Sequence, residues 1–206
     1  MFYEPKKGYP FSHNPFDALV FPRPIGWISS LSEKGIANLA PYSFFNAIAY
    51  EPPQVMFAVT GNHDQGGSKD SLANILSTKE FVVNLATKKL RNQVNQSSID
   101  APNEIDEFLL CKLKKRKSKV VKPPSVADSP VNLECRLLKK INLKTEKHNI
   151  NQNNMIIGEV VGIYIDDKFI IKDKINSLAM RAISRMGYSE YSEVNLKFMM
   201  TPPKWK

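Results

Sequence analysis

Residues 22–47 hold two apolar, strand-like runs on either side of Ser32-Glu33-Lys34-Gly35, and no other stretch constrains the fold as much. Gly35 can take the positive φ of a tight reversal, so the simplest structure is a β-hairpin. Beyond the turn, the small and hydroxyl residues Asn38, Ala40 and Ser43 alternate with bulky Leu39, Tyr42, Phe44 and Phe45. Pro41 withdraws a backbone donor, which suits a sheet edge against which a flat aromatic ligand can lie. The alternative is an ordinary hairpin with a proline kink.

The rest of the chain extends this β character. Residues 54–60 and 80–86 read as strands, the second with Phe81, Val83 and Leu85 on one face. Two longer β-rich runs, 131–143 and 155–165, are joined by an Asn- and Lys-rich stretch expected to be a surface loop. Leu72, Ile75 and Leu76 recur at helical spacing, and Ser68, Asp70 or Ser71 is placed to cap that helix. Residues 88–98 read as a short polar helix, 98–131 as irregular, and 175–191 as holding another short helix. Regular βαβ alternation and internal repeats are both missing from the sequence. The expected fold is therefore mainly β, an antiparallel, Greek-key-like barrel with a few covering helices. With 206 residues it is expected to be one domain, 1–206, with an extended proline-rich arm over 1–20 and a tail over 192–206.

A hydrophobic fraction of 42% and a charged fraction of 24% are those of a folded, soluble chain rather than a disordered one. No apolar run is long enough to span a bilayer and the first residues lack a secretory pattern, so a cytoplasmic location and no membrane partner are expected. Cys111 and Cys135 read as reduced structural thiols. The formal charge of +9 is compatible with nucleic acid, anionic lipid or a small anionic ligand. Lys112, Lys114, Lys115, Arg116, Lys117, Lys119 and Lys122 form a run without an acid. It lacks interleaved aromatics and an adjoining recognition motif, and so reads as a solvated basic loop or edge strand.

His13, His63 and His148 lack the spacing of a metal site, and no metal is expected. The sequence contains no Gly-x-Ser-x-Gly, Walker or Rossmann pattern. No catalytic side chain can be assigned, so a bound cofactor would carry any reaction. The most interpretable feature is Gly66-Gly67-Ser68-Lys69-Asp70-Ser71. Glycines admit close backbone approach, a helix N-terminus offers N–H groups, and Lys69 adds a charge, which together make a phosphate cradle. The competing explanation is a capped helix after a flexible loop.

Several words of this sequence, in order, resemble the flavin reductase-like family of FMN-binding split barrels, which includes nitrilotriacetate monooxygenase component B and the flavoredoxins. They are Arg23-Pro-Ile-Gly-Trp27-Ile28-Ser29-Ser30, Asn38-Leu-Ala40-Pro41-Tyr42-Ser43-Phe44-Phe45, Ser68-Lys69-Asp70-Ser71 with Asn74, residues 129–136, Gly158-Glu-Val-Val161, and Arg185-Met-Gly187 with Tyr191. The resemblance implies an FMN phosphate held by Ser68, Lys69, Asp70, Ser71 and Asn74. It puts Trp27, Ile28, Ser29 and Ser30 toward the ribityl-phosphate, and Asn38 and Ala40 to Phe45 beside the isoalloxazine. Arg185, Gly187 and Tyr191 would also lie by the flavin. It further implies a homodimer, NADH or NADPH as electron donor, and a monooxygenase component or redox partner as acceptor. Two positions depart from the family pattern: Tyr188 stands where a second glycine is usual, and Tyr164 where relatives often carry a histidine. A flavoredoxin-like electron carrier is the alternative activity. A basic nucleic-acid-binding barrel is the alternative of another class.

Overall fold

The computed structural model describes residues 1–64, 66–144 and 153–205. The hairpin forms as expected. β1 (Gly26–Leu31) and β2 (Ala37–Tyr42) pair antiparallel, from Gly26 opposite Tyr42 to Leu31 opposite Ala37. Gly35 turns at φ +82°. Ser32 closes the reversal, its N–H donating to Ile36 O at 2.9 Å and its Oγ accepting from Ile36 N at 3.0 Å.

Five further strands complete the main sheet: β3 (Phe45–Tyr50), β4 (Pro53–Val59), β5 (Glu80–Leu85), β6 (Val131–Asn142) and β7 (Asn154–Ile165). Their order is β2-β1-β5-β6-β7-β4-β3, antiparallel throughout. The two edge strands, β2 and β3, are therefore joined by only Ser43 and Phe44. A seven-stranded sheet whose opposite edges are tied so closely must curl on itself, and its seam runs along β2. The sheet is the mainly β barrel expected, with its covering helices.

Two apolar clusters lie on opposite faces of the hairpin. Ile28, Phe57, Phe81, Val83, Cys135 and Ile156 fill the barrel interior together with Leu72 and Ile75. Those two come from helix α1 (Asp70–Thr78). Trp27, Leu39, Leu90, Val94 and Phe108 form the second cluster, outside the barrel. It is covered by α2 (Arg91–Gln96) and the short α3 (Glu107–Leu110). Alternation along β1 and β2 sends successive side chains to one cluster and then the other.

Several expectations need correction. No side chain caps α1, because Lys69 occupies the flanking position and Ser71 donates its hydroxyl to Asn38 instead. Residues 98–131 are less irregular than expected, since they contain α3 and a two-stranded ladder, Lys115–Arg116 with Ser125–Val126. The lysines of the basic run face solvent, whereas Leu113, Ser118 and Val121 point inward. Residues 175–191 hold a 3₁₀ turn at Ser177–Met180, followed by a three-stranded ladder of Arg23–Pro24, Ile183–Arg185 and Tyr191–Glu193. Residues 1–20 carry two 3₁₀ turns, Pro5–Lys7 and Phe16–Ala18. Most of the Asn- and Lys-rich stretch expected as a surface loop, 145–152 with His148, lies outside the described residues. Cys111 and Cys135 are buried free thiols. Burial pushes both pKa values up, that of Cys111 to about 11.

Candidate functional site

The expected site residues gather around β2, but the strand's alternation divides them between two recesses. Asn38, Ala40 and Tyr42 point one way and join Lys69, Asp70 and Ser71 around a small cavity of about 30 Å³. Pro41 and Ser43 point the other way, and with Phe44, Arg185 and Tyr191 they line a cleft of about 500 Å³.

The small cavity lies at the N-terminus of α1. Ser71 Oγ donates to Asn38 Oδ1 at 2.8 Å, and Asn74 Nδ2 donates to Ser30 Oγ at 3.2 Å, so the hairpin and the helix share one polar seam. Glu107, brought by α3, accepts from Asn38 Nδ2 at 3.1 Å and from Leu39 N at 2.9 Å. Burial holds its carboxyl above the usual range, against the pull of those two bonds. Tyr42 packs on Phe57, with ring centroids 5.0 Å apart. Burial pushes its phenol up to about 12, opposed by a hydrogen bond with Ser71. Asp70 is also raised, chiefly by burial. Lys69 Nζ donates to Asp100 Oδ2 at 3.0 Å.

The larger cleft has room for a planar ring system. Its rim is basic: Arg185 donates to Tyr191 Oη at 2.6 Å and stacks over that ring, and Arg23 stacks on Phe44. Arg23 is nearly fully buried, and its Nε is the buried side-chain polar atom without a hydrogen-bond partner among the described residues. A buried N–H left unpaired is costly unless a ligand acceptor satisfies it. Leu39 directs its N–H outward to Glu107, which fixes the phase of β2. Residues 38, 40 and 42 turn their backbone groups toward β1, and residue 41 turns outward. Ala40 and Tyr42 therefore keep their amides in the sheet, and Pro41 offers a carbonyl but no donor.

Other expected residues serve the protein itself. Trp27 is fully buried in the outer cluster and donates from Nε1 to Ser97 Oγ at 2.9 Å. Ile28 lies in the barrel core. Ser29 Oγ donates to Pro124 O at 2.6 Å, and Phe45 packs against Gly26. Ser68 is exposed. Gly187 is needed where the chain passes Ala18, since an added Cβ would lie 2.5 Å from the alanine's. Tyr188 adopts φ +50°, a left-handed conformation that glycine takes most easily, which explains why a glycine is usual there. Tyr164 is covered by the Arg116 guanidinium, 3.7 Å from its ring centroid. Arg23, His63, Asn95, Asp100 and Glu107 all line the two recesses, and none was singled out from the sequence as a ligand-binding residue.

Among the described residues no group of three or more His, Cys, Asp or Glu is placed to hold a metal. No helix there is long and apolar enough to cross a membrane.

A family model described as the flavin reductase like domain matches residues 18–174. An uncharacterized protein from Aquifex aeolicus is 36% identical over 174 residues, covering 84% of this chain and 85% of that protein. Among solved structures, nitrilotriacetate monooxygenase component B from Bacillus cereus superposes with a TM-score of 0.83 at 26% identity, covering 93% of this chain and 96% of that one. Flavoredoxin of Desulfovibrio vulgaris superposes with a TM-score of 0.74 at 16% identity, covering 88% and 91%, a likeness of fold alone.

Proposed function

The chain belongs to the flavin reductase-like domain family and has its split-barrel fold, and on that premise we propose that it binds FMN and reduces it with NADH or NADPH. The observation that carries this reading is one junction: the uncapped N-terminus of α1, with Lys69 beside it, sits back to back with the 500 Å³ cleft across β2. A phosphate suits the first recess and an aromatic ring the second, so one ligand draped over the edge strand uses both.

When bound, FMN supplies hydride acceptance and onward electron transfer. The protein's part is binding and electrostatics. Lys69 and the first turn of α1 hold the phosphate, with Ser71 and Asn74 fixing the helix against the hairpin. Pro41, Ser43 and Phe44 cover one face of the ring. The unpaired Nε–H of Arg23 and the cation of Arg185 favour negative charge in the cleft. Hydride transfer needs no general acid or base, which fits a site without an assigned nucleophile.

A second copy of the chain is proposed as a partner, because apolar residues at the sheet edge and in the tail stand open, Tyr50 at 85% exposure and Met199 at 96%. The component B likeness supports a monooxygenase as the consumer of reduced FMN. A flavoredoxin-like carrier is the second reading, favoured by Tyr164, which lies under Arg116 where relatives often have a histidine near the nicotinamide side. Anaerobic titration of FMN-loaded protein with NADH and then NADPH separates the two. Rapid loss of the flavin's visible absorption establishes a reductase and its donor; tightly held flavin that stays oxidised establishes a carrier.

A further inference from the structure

We propose that Asp100 is an internal occupant of the phosphate cradle, a carboxylate that a phosphomonoester must displace and that thereby sets which flavins the site retains. This deepens the FMN reading above and rests on it.

The carboxylate sits where an anion belongs. Its Oδ2 accepts from Lys69 Nζ at 3.0 Å and from the backbone N–H of Asp64 at 2.7 Å. Its Oδ1 lies 3.5 Å from Nε2 of His63, which also lies 2.9 Å from Ala101 O. An ammonium and a glycine-loop amide are donors a phosphate would recruit at this place, and the imidazole lies beside them with its Nε2–H on Ala101 O. Each of the three comes from the 63–69 segment, whereas Asp100 reaches in from the other side, on the loop between α2 and α3. Burial opposes its ionisation, but the bonds from Lys69 and Asp64 outweigh that and keep the group a carboxylate.

Position gives the second argument. Asp100 lines the small recess together with Lys69, Asp70 and Ser71. A phosphate that takes the Lys69 ammonium and the Asp64 N–H must occupy the place of the Asp100 carboxylate, so Asp100 has to withdraw. The remaining acids of the wall, Asp70 and Glu107, are fixed to α1 and α3, and Glu107 is held by Leu39 and Asn38. Asp100, on its loop at the mouth with 18% of its side chain exposed, is the acid free to yield.

The exchange is selective by charge. A phosphomonoester carries close to two negative charges near neutral pH and takes over Lys69 and the Asp64 N–H as the carboxylate leaves. Riboflavin has no group to offer in return, so the carboxylate stays and its ribityl end gains nothing from the cradle.

The test is a flavin fluorescence titration of the full-length protein and of two variants, Asp100→Asn and Asp100→Ser, each with FMN and with riboflavin. Thermal melts with and without inorganic phosphate accompany it, and the phosphate-free melts report folding. Both variants should bind FMN roughly two- to fivefold more tightly, the range expected for losing one part-exposed charged contact. Riboflavin affinity should hardly move, and phosphate should raise the melting temperature of the variants more than that of the parent. Weaker FMN binding in folded variants would mean that Asp100 merely positions Lys69 and would overturn the proposal, as would an equal gain for riboflavin. Should the parent bind no FMN at all, the flavin reading fails, and the phosphate melts still decide the latch: equal shifts in parent and variants sink it.

Discussion

Gly187 and Ala18 touch so closely that a Cβ on the glycine would lie 2.5 Å from the alanine's Cβ and 2.6 Å from its Cα. The contact clamps the Phe16–Ala18 turn onto the loop after Arg185. Arg23 reinforces it by donating to the carbonyls of Asp17, Val20 and Met186. Gly187→Ala should cost about 1–3 kcal/mol, as overpacking does, because backbone rather than a flexible side chain must give way. Urea denaturation measures the loss. Limited proteolysis should show earlier cutting in residues 1–20, and an unchanged cleavage rate would mean that the clamp is not what orders the arm.

Ser97→Ala tests whether Trp27 belongs to the core or to the ligand. The indole N–H is fully buried and Ser97 Oγ is its partner, so the variant leaves a buried donor unpaired at a cost of about 1–3 kcal/mol. Ser97 also lines the small recess, so Trp27→Phe, which removes the N–H and leaves Ser97 in place, is measured beside it. FMN affinity of Trp27→Phe should stay within experimental error of the parent, and a large drop without a drop in melting temperature would return Trp27 to the ligand side.

What the sequence makes legible here is local. Alternation along residues 37–45 and the glycine at 35 specify the hairpin, and the spacing of Leu72, Ile75 and Leu76 specifies α1, because each signal lies within a few residues of its consequence. The cavity walls are another matter. Glu107 bonds to Leu39 across 68 residues and to Asn38 across 69, from a stretch with no periodicity of its own. Asp100 meets Lys69 across 31 residues, and His63 reads from the sequence only as a histidine without metal-site spacing. The capping expectation failed for a related reason. Ser71 is the right residue type to cap α1, but Asn38, distant in sequence, offers its hydroxyl a buried acceptor. Trp27, Ile28 and Ser29 lie on a strand, as the apolar run predicts, yet a strand's own alternation cannot say which face meets a ligand until both faces have found their cores.

Glu107 gives the chain a pH dependence whose sign is fixed by burial. Its folded-state pKa lies above the unfolded value near 4.5, so the folded protein binds more protons through that window. The stabilisation is fully present below pH 4.5 and is lost as pH rises through the folded value. Asp70 acts in the same direction from 3.8 upward. Asp100 acts oppositely, its contribution being lost only as pH falls below 3.8. Glu107→Gln keeps an oxygen for Leu39 and Asn38 but cannot ionise. Denaturant midpoints measured from pH 4.5 to 8 should fall less steeply with pH in the variant than in the parent, and parallel curves would remove Glu107 from the account.

Lys69→Ala should weaken FMN binding by at most about ten- to a hundredfold, the range for losing a whole hydrogen bond to a charged group, while leaving kcat at saturating FMN nearly unchanged. The residue holds a phosphate remote from the reacting ring, so it contributes to retention and not to the chemical step. The size of the loss depends on Asp100. In the parent, Lys69 gives up its carboxylate partner when it takes the phosphate, so the alanine variant loses only the difference between the two contacts. In an Asp100→Asn background Lys69 gives up only a neutral amide oxygen, and Lys69→Ala should cost more than in the parent. A double-mutant cycle on FMN dissociation constants reads this directly. If Asp100 served to hold Lys69 in place, the cycle would take the opposite sign, with Lys69→Ala costing less once Asp100 is gone.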